Sequence, residues 1–106
     1  MLARLPQADG KPKVRPALVL RQVPPYGDLL VFGVSSQLHQ AVAGFDELMQ
    51  PEDEDFATSG LRVTSVLRLA YLLTLPRHQV EGTLGSVAAE RHRRILQRLS
   101  AFLAPR

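Results

Sequence analysis

Lys13-Val14-Arg15-Pro16-Ala17-Leu18-Val19-Leu20 decides the fold. Cations run into a proline and then into an unbroken apolar stretch. Proline lacks a backbone N–H, so it suits a strand start. Ala17 to Val23 is therefore expected to be a mostly buried strand. Pro24-Pro25-Tyr26-Gly27-Asp28 is a strong turn signal. Leu29 to Val34, apolar and uncharged, supplies the next strand. Paired, the two strands bring Arg15 and the hydroxyl pair Ser35-Ser36 to one end of a small sheet. Arginine is always charged and presents a planar fork suited to phosphate. Such a rim handles phosphate without metal or cysteine.

Upstream, Leu2 to Leu5 reads as a short strand. Gln7 to Lys13 reads as a basic hairpin turn containing Asp9-Gly10. Downstream, the segment from Ser36 to Gly44 is ambiguous. Glu52-Asp53-Glu54-Asp55 reads as a solvated loop. Ser59-Gly60 is a turn. Leu61 to Leu75 suits either strand or helix, and Pro76 ends it. Val80 to Leu84 is expected to be a short strand, broken by Gly85. From 87 to 103 an amphipathic helix is expected, with Ser86 as its N-cap and Glu90 near its positive end. Ala88, His92, Ile95, Leu96, Leu99, Phe102 and Leu103 recur at helical spacing, with Arg91, Arg94 and Arg98 largely on the other side.

The chain has 106 residues, 45% of them hydrophobic, which suits a single domain. Such a domain buries roughly 65% of the surface of its unfolded chain. No apolar run approaches the ~18 residues of a membrane span. The first residues do not resemble a secretory signal, and cysteine is absent. A cytoplasmic location is the expectation, with no membrane partner. Charge is segregated: residues 1–37 carry a net +3, residues 38–59 a net −6 and residues 60–106 a net +6. The isoelectric point near 10.0 admits an acidic partner such as nucleic acid.

The ordered set of short motifs resembles one family. Lys13-Val14-Arg15-Pro16-Ala17-Leu18-Val19-Leu20 is followed by Gly33-Val34-Ser35-Ser36-Gln37, then by Ser59-Gly60-Leu61 and Ser65-Val66. Glu81-Gly82-Thr83-Leu84-Gly85 precedes the final helix. In this order the chain resembles the PemK/MazF-like toxins of bacterial type II toxin–antitoxin systems. The resemblance implies a mainly β, α+β fold: one SH3-like β-barrel domain over 1–106 with a C-terminal amphipathic helix, usually a homodimer. It implies a metal-independent endoribonuclease that cuts single-stranded RNA, needs no cofactor and is blocked by a cognate antitoxin. The family's catalytic arginine falls on Arg15, and its hydroxyl residue on Ser35 or Ser36. Lys11, Lys13 and Gln37 are the expected RNA-backbone contacts. The products implied are a 2′,3′-cyclic phosphate and a 5′-OH.

Two departures accompany the resemblance. Many members carry an acid just after the glycine–leucine turn, where this chain reads Val63-Thr64-Ser65. The family's usual opening is also missing, so the first strand is expected to be shortened. A weakened RNA- or protein-binding module of the same fold is therefore the alternative reading.

Other groups add less. His39 and His78 titrate near neutrality when unperturbed but have no partner visible in sequence. His92 falls on the apolar face of the helix. The 52–55 acids lack the EF-hand pattern, so no metal is expected. The glycines lack phosphate-loop spacing. Most aromatics are expected in the core, with Tyr26 free to stack on a base.

Overall fold

A computed structural model describes residues 2–6, 14–80 and 82–104, with segments 2–6 and 14–15 as backbone only. The Gln7–Lys13 turn, with Lys11 and Lys13, lies outside the described residues. Among the described residues, six strands form one sheet: β1 Leu2–Pro6, β2 Val14–Val23, β3 Asp28–Ser35, β4 Glu47–Met49, β5 Ser65–Leu75 and β6 Thr83–Gly85. Their order across the sheet is β4-β5-β3-β2-β1-β6, and every pair is antiparallel. A one-turn helix, α1 (Phe56–Ser59), precedes β5, and a long helix, α2 (Ala89–Leu103), ends the fold. The expected mainly β architecture with a C-terminal helix is the one that forms, as a curled half-barrel.

The undecided segment Leu61 to Leu75 resolves as strand from Ser65 onward. It pairs with both β3 and β4, and this central position overrides the helix propensity of its leucines. The open segment after Ser36 becomes a 3₁₀ turn at Leu38–Gln40 followed by further turns. The short strand expected at Val80 to Leu84 forms later, at Thr83–Gly85.

Strand alternation sorts the core into two layers. Leu18, Leu20, Phe32, Val34, Leu67 and Leu69 face α2 and pack on Ile95 and Leu99. Ala17, Leu29, Val31 and Leu75 form a smaller cluster with Val19, Leu73 and Val80. The helix stripe enters the core at Ile95 and Leu99 but leaves it at its end, where Phe102 is 68% exposed. Phe102 instead meets Phe45, with ring centroids 5.0 Å apart. Of the aromatics, Phe32 lies in the core with Phe45 and Phe56 packed against it, whereas Tyr26, Tyr71 and Phe102 are exposed, so half rather than most belong to the core.

Two irregularities shape the sheet. In β2, Leu20 is an extra residue between the Val19–Val31 and Arg21–Leu30 pairs. Its carbonyl accepts a hydrogen bond from His92 Nε2 at 3.0 Å, so His92 closes the gap the bulge opens. In β5, Leu69, Ala70 and Tyr71 intervene between the partners of Gly33 and Phe32. The Leu69 N–H donates to Asp46 Oδ1 at 3.0 Å there, replacing a strand partner.

Ser86 is not the helix cap. Ala88 occupies that position and makes no side-chain cap. The Ala88 N–H donates instead to Asp55 Oδ2 at 2.9 Å, across the fold. The acidic run is likewise not a solvated loop throughout, because Asp55 is only 6% exposed. Gly60 closes α1 with φ +80, and a Cβ there would stand 2.3 Å from the Leu84 carbonyl oxygen.

Candidate functional site

The β2–β3 register determines which residues share a rim. Ala17 pairs with Gly33, and Leu18 with Phe32. Two residues beyond the first of these pairs stand Arg15 on β2 and Ser35 on β3. Arg15 itself is paired with Leu5 of β1. Ser35 is paired with Val66 of β5, and Ser65 beside it with Met49 of β4. The backbones at Arg15 and Ser35 therefore lie at one end of the sheet, beside the start of β5.

Ser35 is half-buried, and its Oγ accepts the Gln37 N–H at 3.0 Å. That bond uses a lone pair and leaves the hydroxyl hydrogen free to donate. Ser36 and Gln37 are exposed, and Gln37 Oε1 is 3.5 Å from Gln40 Nε2. His39 stands exposed on the same 3₁₀ turn. Ser65 is buried, and its hydroxyl donates to the Val63 carbonyl at 2.9 Å. Tyr26 and His78 belong to the opposite end of the sheet, near the β2–β3 turn and the end of β5. Tyr26 there is 87% exposed, remote from Ser35.

Sequence reading missed two groups near this rim. Arg68 on β5 pairs directly with Gly33. Tyr71, on the bulge that follows, lies over the same glycine: a Cβ on Gly33 would stand 2.8 Å from Tyr71 Cδ1. Neither residue carried a motif, and only the register and the bulge bring them here.

Three arginines of α2, Arg91, Arg94 and Arg98, serve elsewhere, tied to acidic residues of the middle segment, while Arg93 is exposed. Arg91 is buried and bonds Asp55 twice, Nε to Oδ2 at 2.8 Å and Nη2 to Oδ1 at 3.1 Å. It also reaches Glu47 Oε1 at 2.7 Å and Asp53 Oδ2 at 3.2 Å. Arg94 pairs with Glu47, and Arg98 Nη1 reaches Glu47 Oε2 at 3.2 Å. Burial by itself would raise the Asp55 carboxyl, but the Arg91 hydrogen bond, the Ala88 N–H and the Arg91 charge hold it below its ordinary value. Burial would lower Arg91, yet Asp55, Glu47 and Asp53 together keep it raised. The Glu47 hydrogen bond raises Arg94. Glu47, Asp53 and Asp55 of the negative middle segment thus pair with three arginines of the final helix.

No helix among the described residues is long and apolar enough to cross a membrane. Comparison with curated proteins found no match. Among solved structures, the Mycobacterium tuberculosis toxin MazF-mt6 superposes with a TM-score of 0.65 at 21% identity, covering 95% of this chain and 94% of that one. The likeness shows a shared fold. The family model for the PemK-like, MazF-like toxin of type II toxin–antitoxin systems matches residues 1–103, and the chain belongs to that family.

Proposed function

We propose that this toxin is an endoribonuclease that cuts single-stranded RNA without a metal, with Arg15 and Ser35 at the scissile phosphate. The observation that carries the reading is the register that sets Arg15 and Ser35 at one end of the β2–β3 pair. In the reaction, the ribose 2′-OH attacks the adjacent phosphorus and the 5′-oxygen of the next nucleotide leaves with a proton. A 2′,3′-cyclic phosphate and a 5′-OH result. Negative charge grows on the phosphoryl oxygens as the new bond forms, and a fixed guanidinium stabilises it. The free Ser35 hydroxyl hydrogen donates to the same phosphate, with Ser36 as the neighbouring alternative. Lys11, Lys13 and Gln37 hold the strand on either side. The working form is a cytoplasmic homodimer that a cognate antitoxin occupies and silences.

A second reading keeps the fold and the RNA but not the cleavage. It is favoured by Val63-Thr64-Ser65, where no carboxylate is present to take the 2′-OH proton and the Ser65 hydroxyl is tied to Val63. One experiment separates the two. Purified protein and an Arg15→Ala variant are incubated with long single-stranded RNA in EDTA. Cutting by the wild type alone supports the nuclease. Salt-dependent binding with no cutting by either identifies the binding module.

A further inference from the structure

Arg68 differs from every other described arginine. Arg91 and Arg98, the other two away from full exposure, each have an acidic partner. Arg94 is exposed and paired as well. Arg21, Arg62, Arg77 and Arg93 are exposed, where water satisfies them. Arg68 is half-buried with no acid beside it among the described residues, and its Nε is buried with no acceptor. A guanidinium presents five N–H donors and no acceptor. Leaving it unpaired costs more than a neutral hydrogen bond would return.

Its position says what it is for. Leu67 and Leu69 on either side point into the core under α2. Alternation therefore sends Arg68 to the other face of the sheet. Ser35 pairs with Val66, so Arg68 is one diagonal step from Ser35 on that face, within reach of a long side chain. Gly33, opposite Arg68, offers no side chain to cover it. Tyr71 lies over Gly33 and stays 38% exposed, a ring surface over the glycine that Arg68 pairs with. The bulge at 69–71 creates this arrangement, since it turns Tyr71 back over β3 immediately after Arg68.

We propose that Arg68 binds a backbone phosphate of the RNA strand next to the phosphate held at Arg15 and Ser35, with Tyr71 receiving a neighbouring base. The inference rests on RNA being the substrate. A planar fork beside a hydroxyl and an open aromatic ring is chemistry that a nucleic-acid strand satisfies at every point.

The test uses a 2′-O-methyl RNA oligonucleotide, which binds but cannot be cut because its nucleophile is blocked. Affinity is read by fluorescence anisotropy over a range of KCl for the wild type, Arg68→Gln and Arg68→Lys. Arg68→Gln is expected to weaken binding about tenfold at low salt. It should also make the slope of log affinity against log salt shallower by about 0.7, one phosphate contact on a single strand. Arg68→Lys keeps the charge and should restore the slope. The melting temperature of Arg68→Gln should not fall, because the charge removed had no partner. Unchanged affinity and slope in Arg68→Gln, whatever its melting temperature, overturns the proposal while RNA cutting by the wild type still stands. A wild type that binds but does not cut, with Arg68 still setting the slope, removes the nuclease reading and keeps this one. A wild type that binds no RNA removes both.

Discussion

At the scale of single residues, Arg15 and Ser35 carry different burdens. On the proposed mechanism, Arg15→Ala removes a charged donor from the transition state, and the cleavage rate should fall about 10²–10³-fold. Quenched-flow or gel assays on single-stranded RNA read this directly. Ser35 has an internal acceptor role as well, because its Oγ takes the Gln37 N–H. Ser35→Ala should therefore lose more activity than Ser36→Ala in the same assay. Equal losses would place the reactive hydroxyl elsewhere. Gly33 is constrained by its neighbour rather than by its backbone angles. Gly33→Ala drives a methyl against the Tyr71 ring and should cost about 1–3 kcal/mol of stability. Adding Tyr71→Ala should recover much of that in urea unfolding, a non-additivity expected only of residues in contact.

At the scale of elements, α2 is held to the sheet by two unlike interactions. Ile95 and Leu99 fill the core, and either truncation to alanine should cost about 2–5 kcal/mol. Arg91 binds the segment around Glu47 and Asp55 on the helix flank. Arg91→Met leaves a buried carboxylate without its cation and should cost about 3–5 kcal/mol. Arg98→Ala, at a more exposed pair, should cost under about 1 kcal/mol. The pH dependence follows from Asp55. Its folded value is lowered, so the unfolded chain binds the proton more readily as pH falls. The stability from this group is complete above the unfolded value of about 3.9 and disappears below it, as pH drops through the folded value. Melting temperatures measured from pH 6 to pH 2 should fall steeply in the wild type. Asp55→Asn should start lower and show a flatter acid limb.

At the scale of the whole molecule, charge is spent in two places with different salt responses. The pairs between α2 and the acidic segment are largely buried and short, so salt screens them little. The RNA binding proposed on the other face of the sheet depends on released counterions, and each phosphate contact contributes a slope of about −0.7. Raising KCl from 50 mM to 1 M should leave the melting temperature within a few degrees while RNA affinity collapses. A melting temperature that falls in parallel with affinity would place the important pairs at the surface.

The sequence alone determined the strand run after Arg15-Pro16, the turn at 24–28, the apolar strand before Ser35 and the final helix. Each is a local signal, since proline, glycine and apolar periodicity act over a few residues. It also determined the family, because the motifs occur in order along the chain. Local signals could not decide Leu61 to Leu75, whose leucines suit either state until β3 and β4 supply hydrogen bonds on both sides. They misplaced Asp55 and Arg91, because a charged residue reads as solvated unless its partner, 36 positions away, is known. They assigned no functional role to Arg68 or Tyr71. Only tertiary structure set these beside Gly33 and Ser35, since strand register and a three-residue bulge are fixed by pairing across the sheet and not by the residues that bulge.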